Sequence, residues 1–111
     1  MAIVTFVQSG ELIDYVPGTN LNAGDVVVQG DLVGVMVRPT AAQTVGTLAV
    51  TGVFDFPKAG ATVFAAGALV YWSADNWLAV ASDGGGTNKL LGKAVQAAGA
   101  GTTTVRVLLS Q

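Results

Sequence analysis

Apolar residues recur at every second position along most of this chain, and many of them are β-branched. Such alternation places apolar side chains on one face of an extended strand. Clusters of glycine, proline, asparagine and aspartate interrupt it at short intervals, as turns do. The pattern predicts strands over residues 3–7, 11–16, 26–28, 32–37, 46–56, 67–72, 77–81, 90–97 and 104–109.

Helix is difficult to place anywhere in the sequence. The best candidate is a single turn within residues 58–66, where Gly60 and the β-branched pair Thr62-Val63 disfavour it. We therefore expect an all-β fold with little or no helix, in a single domain over residues 1–111. The expected architecture is a small β-barrel or β-sandwich of about 8–10 short strands.

Three phrases of the first half recur, in the same order, in the second half. The paired segments are 23–28 with 66–71, 32–37 with 90–95, and 47–50 with 104–107. Two similar halves would suit a barrel or sandwich built from paired three-stranded units. Glycine-rich β sequence also matches itself readily, so the pattern alone leaves both explanations open.

The composition is unusually poor in charge. Charged residues make up 11% of the chain, against about 25% in ordinary domains. The hydrophobic set reaches 51%, and a further 15 residues are glycine. Either uncharged polar residues cover the outside, or part of the surface is buried against neighbouring subunits. We favour the second explanation.

The charge and hydropathy patterns argue against two classes of partner. The net charge is −2, and the five basic residues are scattered singly, whereas nucleic-acid binding needs clustered Lys and Arg. No stretch approaches the roughly 18 apolar residues of a membrane span. The N-terminus lacks the basic region and long apolar run of a signal peptide. We expect no nucleic acid, no membrane, and a soluble chain made in the cytoplasm.

Catalytic chemistry has little support. The chain contains no histidine and no cysteine, which removes the commonest general base, the usual nucleophilic triads and the best transition-metal ligands. The seven acidic residues mostly stand in turn-forming company. The triple glycine at 84–86 lacks the ordered spacing of a phosphate-binding loop. We expect no enzyme, no catalytic residue, no metal site and no cofactor.

The aromatic residues are the best candidates for binding. Tyr71 and Trp72 precede a turn at 74–76 that Trp77 follows, so all three belong to one hairpin. Neighbouring strand residues face opposite sides, so Tyr71 and Trp72 cannot both enter the core. An exposed Trp would anchor a subunit interface or stack on a sugar, although Trp72 would equally well fill the core. A second cluster, Phe54 and Phe56, ends at Pro57, where the strand leaves its sheet.

Several phrases, taken in order and spacing, resemble the small capsid cement, or head decoration, family of tailed bacteriophages and prophages. The most specific are the Gly-Val-Phe…Pro-Lys phrase of residues 52–58 and the Val-Tyr-Trp phrase of residues 70–72. The full collinear set comprises residues 6–10, 23–27, 34–35, 46–58, 67–72, 91–95 and 105–109.

The resemblance implies a non-enzymatic β-rich protein that binds the outer face of a capsid and bridges neighbouring major capsid protein subunits. It also implies a homo-oligomer, with a trimer favoured, located on the virion after synthesis in the host bacterium. The alternative is a carbohydrate- or ligand-binding β module displayed on a virion or cell surface. The residues expected at subunit contacts are Ile3, Val4, Phe6, Phe56, Pro57, Lys58, Trp72 and Trp77.

Overall fold

The computed structural model describes residues 10–111, which form nine strands in two antiparallel sheets. The first sheet contains β1 (Leu12–Tyr15), β2 (Val26–Gln29), β3 (Leu32–Met36) and β4 (Gly46–Ala49). The second contains β5 (Gly52–Pro57), β6 (Leu69–Ser73), β7 (Leu78–Val80), β8 (Lys89–Ala94) and β9 (Thr104–Leu109). The predicted all-β fold is confirmed, and the two open sheets correspond to a β-sandwich. The strand predicted at 3–7 lies outside the described residues.

The long strand predicted over residues 46–56 is wrong, because the chain changes sheets within it. β4 ends at Ala49, and β5 begins at Gly52, whose φ of 131° is a conformation that glycine adopts most easily. Segment 58–66 contains no helical turn, and the described part of the chain has only a short 3₁₀ turn at Gly84–Gly86. No helix in residues 10–111 is long and apolar enough to cross a bilayer.

Both sheets repeat one strand order. The first runs β1-β4-β3-β2 and the second runs β5-β9-β8-β6, with β7 added beside β6 at the edge. The register repeats as well. The equivalent facing pairs are Val27–Gly34 with Val70–Gly92, and Met36–Leu48 with Ala94–Val107. The similarity of the halves is therefore structural.

Backbone hydrogen bonds outside the strands repeat in the same way. Leu21 and Thr40 exchange two N–H···O bonds of 2.9 and 2.8 Å, and Phe64 and Ala98 exchange two of 2.9 Å. The third pair of segments, 47–50 with 104–107, was aligned two residues out of register. Leu48 corresponds to Val107, because each faces the residue two positions beyond the strand glycine.

The buried apolar residues form two clusters, of which the larger joins the two sheets. The small core lies on one face of the first sheet and comprises Val27, Met36, Leu48 and Val50. The opposite face of the same sheet contributes Val33 and Val35 to a large core that the second sheet dominates. The large core also contains Phe56, Phe64, Val70, Trp72, Ala79, Leu91, Ala94, Ala98, Val105, Val107 and Leu109. The first sheet therefore covers the inner face of the second.

Polar contacts fasten the two halves at one end. The side chain of Gln111 accepts a 3.2 Å bond from the Val33 N–H and donates 2.8 Å bonds to the carbonyls of Val33 and Val50. Lys89 on β8 also forms a 2.8 Å ion pair with Asp31 in the β2–β3 turn. These contacts fix β3 against the second sheet.

Candidate interaction surface

The structure separates the predicted contact residues into three groups. Outside the described residues lie Ile3, Val4 and Phe6. Exposed on the surface are Pro57 and Trp77. Buried within this chain are Phe56, Lys58 and Trp72. The expectation that this last group contacts a partner needs correction, because their side chains are already enclosed.

The buried ammonium group of Lys58 is bound by main-chain carbonyl oxygens and not by an acidic side chain. Its Nζ donates to the carbonyls of Ala59 and Gly99 at 3.2 Å, and to those of Thr62 and Thr102 at 2.7 Å. A buried ammonium is costly unless such donors and acceptors are satisfied. Lys58 therefore joins the loop after β5 to the loop before β9, which is a structural role.

A chain of aromatic rings leads from the large core to the surface. The centroids of Phe54 and Phe56 are 6.3 Å apart, those of Phe56 and Trp72 6.0 Å, and those of Trp72 and Trp77 6.4 Å. These separations lie in the range of favourable aromatic contacts. Because Trp72 fills the core, its strand neighbour Tyr71 faces the other way and is half-buried.

Trp77 ends this aromatic chain at the β6–β7 turn. Its side chain is 62% exposed, and its backbone φ of 57° is unusual for a bulky residue. The N–H of Trp77 donates a 2.8 Å bond to the Ser73 carbonyl, which holds the turn closed. A large apolar side chain kept in a disfavoured conformation on the surface suggests a functional constraint.

A groove of 290 Å³ opens beside Trp77, where the first sheet meets the second. Its lining is mainly apolar and aromatic, with the carboxylates of Asp25 and Asp55 at the rim. The lining residues are Gly24, Asp25, Val26, Val35, Phe54, Asp55, Phe56, Pro57, Trp72 and Trp77. Pro57 and Trp77, the two exposed predicted contact residues, therefore border one depression.

A second apolar surface covers the outer face of the second sheet. Val53 of β5, Leu108 of β9, Lys93 of β8 and Leu69 of β6 face one another across four adjacent strands. We call this set the outer row. All four residues are exposed, and three of them are large and apolar. Leu90 lies beside the row, also exposed.

Two ion pairs lie on the described surface, Asp55 with Arg106 and Asp31 with Lys89. Arg106 binds Asp55 with two bonds, from Nε at 2.9 Å and from Nη2 at 3.2 Å. This hydrogen bonding lowers the pKa of Asp55 and raises that of Arg106. The bond from Lys89 likewise lowers the pKa of Asp31. Within residues 10–111 no group of three or more acidic side chains could hold a metal ion.

Comparison with known proteins decides the class of this molecule. A family model described as phage cement protein matches residues 7–109, which include all nine strands. The chain belongs to the phage cement protein family. No curated protein and no solved structure gives a significant match.

Family membership confirms the resemblance seen in the sequence. As a cement protein the molecule is a structural component of the virion, located on the capsid, which it stabilises by binding capsid proteins. It is not an enzyme. The interaction surfaces are therefore the part of the cement protein that performs its function.

Sequence reasoning identified one exposed corner of the cement protein and missed the outer row. Trp77 and Pro57 were found from residue type and turn position. The signal for the outer row was available in β9, where Leu108 and Leu109 are both apolar although they face opposite sides of the sheet. A strand that is apolar on both faces indicates contacts on both faces.

Proposed function

We propose that this cement protein binds the outer surface of the shell and bridges adjacent major capsid protein subunits through the corner formed by Trp77 and Pro57. The observation that carries the proposal is the 62% exposure of Trp77 beside an apolar groove. Trp is enriched at the energetic centres of protein interfaces. Trp72, packed beneath it, holds the anchor in place.

The N-terminal residues Ile3, Val4 and Phe6 form a second contact in this proposal. Their apolar and partly β-branched sequence is suited to adding a strand to a partner's sheet. The cement protein acts as a homo-oligomer, with three copies favoured. Each copy then contributes a modest contact, and repetition over the shell provides the avidity that resists internal pressure.

Co-sedimentation with capsids tests the role of the Trp77 corner. Trp77→Asn is the informative variant, because Asn tolerates the left-handed backbone and carries no large apolar surface. We expect it to weaken capsid binding at least about 30-fold, which corresponds to losing a hot-spot residue worth about 2 kcal/mol. Binding is measured by titrating purified protein against a fixed amount of expanded and unexpanded capsids.

Val45→Asn is the matched control, since Val45 is 69% exposed and lies in the other half of the chain, away from the groove. Equal binding by Trp77→Asn and the native protein would refute the corner as a contact. A ligand-binding module would instead show carbohydrate-array binding that Trp77→Asn abolishes, with capsid binding unchanged.

A further inference from the structure

The first sheet contains a row of residues equivalent to the outer row. Leu12 faces Ala49, Ala49 faces Val35, and Val35 faces Val26. By strand order and register this inner row matches Val53, Leu108, Lys93 and Leu69 of the second sheet, residue for residue.

The two equivalent rows have opposite surroundings. In the inner row Val35 is 6% and Ala49 3% exposed, Val26 is half-buried, and only Leu12 on the edge strand β1 is open, at 49%. Val35 belongs to the large core, and Val26 packs against it. In the outer row Val53 is 55%, Leu69 47% and Leu108 44% exposed. The inner row therefore serves as an interface within the chain. The equivalent outer row is not covered by any part of residues 10–111.

The surface that receives the inner row is also present twice. Within the chain, Val35 packs in one cluster with Phe56, and Phe54 packs against that cluster. The register equivalents of Phe54 and Phe56 in the first half are Ile13 and Tyr15, which lie over the small core. Both are only half-buried, as is the neighbouring Leu32. The first half thus retains a receiving face, which we call the small-core face.

We propose that the outer row of one copy docks onto the small-core face of a second copy, repeating between chains the contact that joins the two halves within a chain. The inference deepens the proposed function, since it assigns the surface through which the homo-oligomer forms. The occupant is a second copy because the chain carries both surfaces of this contact. The outer row is equivalent to the inner row, and the small-core face is equivalent to the surface that the inner row packs against. Lys93, the single charge of the outer row, keeps its ammonium at the rim by extending its aliphatic stem across the interface.

This contact joins two different surfaces, so it is heterologous. Heterologous contacts form closed rings when the rotation between copies closes, and open filaments when it does not. Any closed ring, including a three-membered one, satisfies every outer row and every small-core face. A two-fold dimer that pairs outer row with outer row would leave the small-core faces unused.

Site-specific cross-linking tests the pairing directly, because the native chain has no cysteine to interfere. Leu108→Cys and Tyr15→Cys are prepared as separate full-length variants, mixed in equal amounts, and treated with a short bismaleimide. Intact mass spectrometry then distinguishes the products. We expect the mixed Leu108→Cys/Tyr15→Cys conjugate to dominate. Dominance of the Leu108→Cys homoconjugate would overturn the head-to-tail arrangement.

Sedimentation of charge variants provides a readout that does not depend on cysteine placement. Leu108→Glu places an unpaired charge in the proposed interface, and we expect it to weaken self-association at least about 100-fold. Val45→Glu, at an exposed site outside the row, should leave association unchanged. Native protein that stays monomeric at the highest attainable concentration would overturn the inference, as would unchanged association of Leu108→Glu.

Capsid titration of the same proteins separates this inference from the proposed function. A monomeric Leu108→Glu that still binds capsids, with reduced avidity, supports the docking contact and the capsid contact independently. A native oligomer that binds no capsid refutes the proposed Trp77 contact and leaves the self-association surface intact. In the double variant Phe6→Cys/Tyr15→Cys, cross-linking only within one chain would identify the N-terminal segment as the occupant and overturn the inference.

Discussion

In the first half of the chain, the small core consists of aliphatic side chains on β2, β3 and β4 together with Val50, and the loops close with main-chain bonds and with bonds to short polar side chains. The N–H of Gln43, for example, donates to the Pro17 carbonyl at 2.9 Å. The second half keeps the same strand order but adds the β7 hairpin, two core aromatic rings on β5 and β6, and a buried lysine. One topology thus supports two different ways of filling and closing a core.

The difference has a functional meaning. The second half receives the inner row of the first and needs a deep apolar face, which Phe56 and Trp72 provide. The first half acts as the cover, and its small core, on the opposite face, remains shallow and half-exposed at Tyr15. The two halves therefore have distinct roles within the chain.

The strand glycines Gly34 and Gly92 give the largest expected contrast. They occupy equivalent places, facing Val27 and Val70. A Cβ on Gly92 would overlap the Leu108 carbonyl oxygen, and the backbone φ of 155° is unfavourable for other residues. We expect Gly92→Ala to lose about 4 kcal/mol of stability or to prevent folding, since the obstacle is the backbone of β9.

Gly34→Ala is the comparison. Its Cβ would lie 2.5 Å from Cγ of Leu48, a side chain that can rotate partly away, so we expect a loss of about 1–3 kcal/mol. Urea unfolding monitored by Trp fluorescence gives both values. If both variants lose the same free energy of unfolding, the Leu48 side chain cannot move away from the new Cβ, and the expected difference between the two glycines is wrong.

Lys58 provides the next contrast, because Pro17 occupies the corresponding buried position of the first half. Lys58→Met keeps the aliphatic stem and removes the donor of four carbonyl bonds. We expect a loss of about 3 kcal/mol, since the freed carbonyls lie in a partly buried site. Lys89→Met, which breaks the exposed ion pair with Asp31, should cost much less stability than Lys58→Met. Equal losses in the two variants would mean that water replaces the Lys58 ammonium.

The sequence predicts most of the strands because they depend on local alternation, and it suggests the repeat without deciding it. It does not predict the burial of Lys58, since charged residues are usually exposed and main-chain acceptors leave no trace in side-chain composition. The change of sheet at Thr51-Gly52 is missed for a related reason, since the alternation continues on both sides. Tertiary packing alone decides that Trp72 faces the core while Trp77 stays outside.

The smallest contrast concerns the equivalent acids Asp14 and Asp55. Asp55 faces Arg106, whose hydrogen bonds lower its pKa, whereas Asp14 faces Thr47. A lowered folded-state pKa means that the ion pair stabilises the protein above the ordinary aspartate pKa of about 3.9, and that this contribution is lost as the pH falls towards the folded value. The pair is exposed, so the effect should be small.

Urea midpoints of the native protein, Asp55→Asn and Asp14→Asn between pH 7 and pH 2 measure this difference, the range being set by the aspartate pKa of about 3.9. We expect Asp55→Asn to flatten the acidic fall in stability, whereas Asp14→Asn, which removes no bond to an arginine, is the control for loss of a carboxylate at the equivalent place. The Asp31–Lys89 pair remains in every variant, so some acidic fall persists throughout. An ion pair that stabilises the fold must lose that contribution when its carboxylate is protonated. If the stability of all three proteins falls identically with decreasing pH, the Asp55–Arg106 bond does not stabilise the fold and only orients side chains on the outer face of the second sheet.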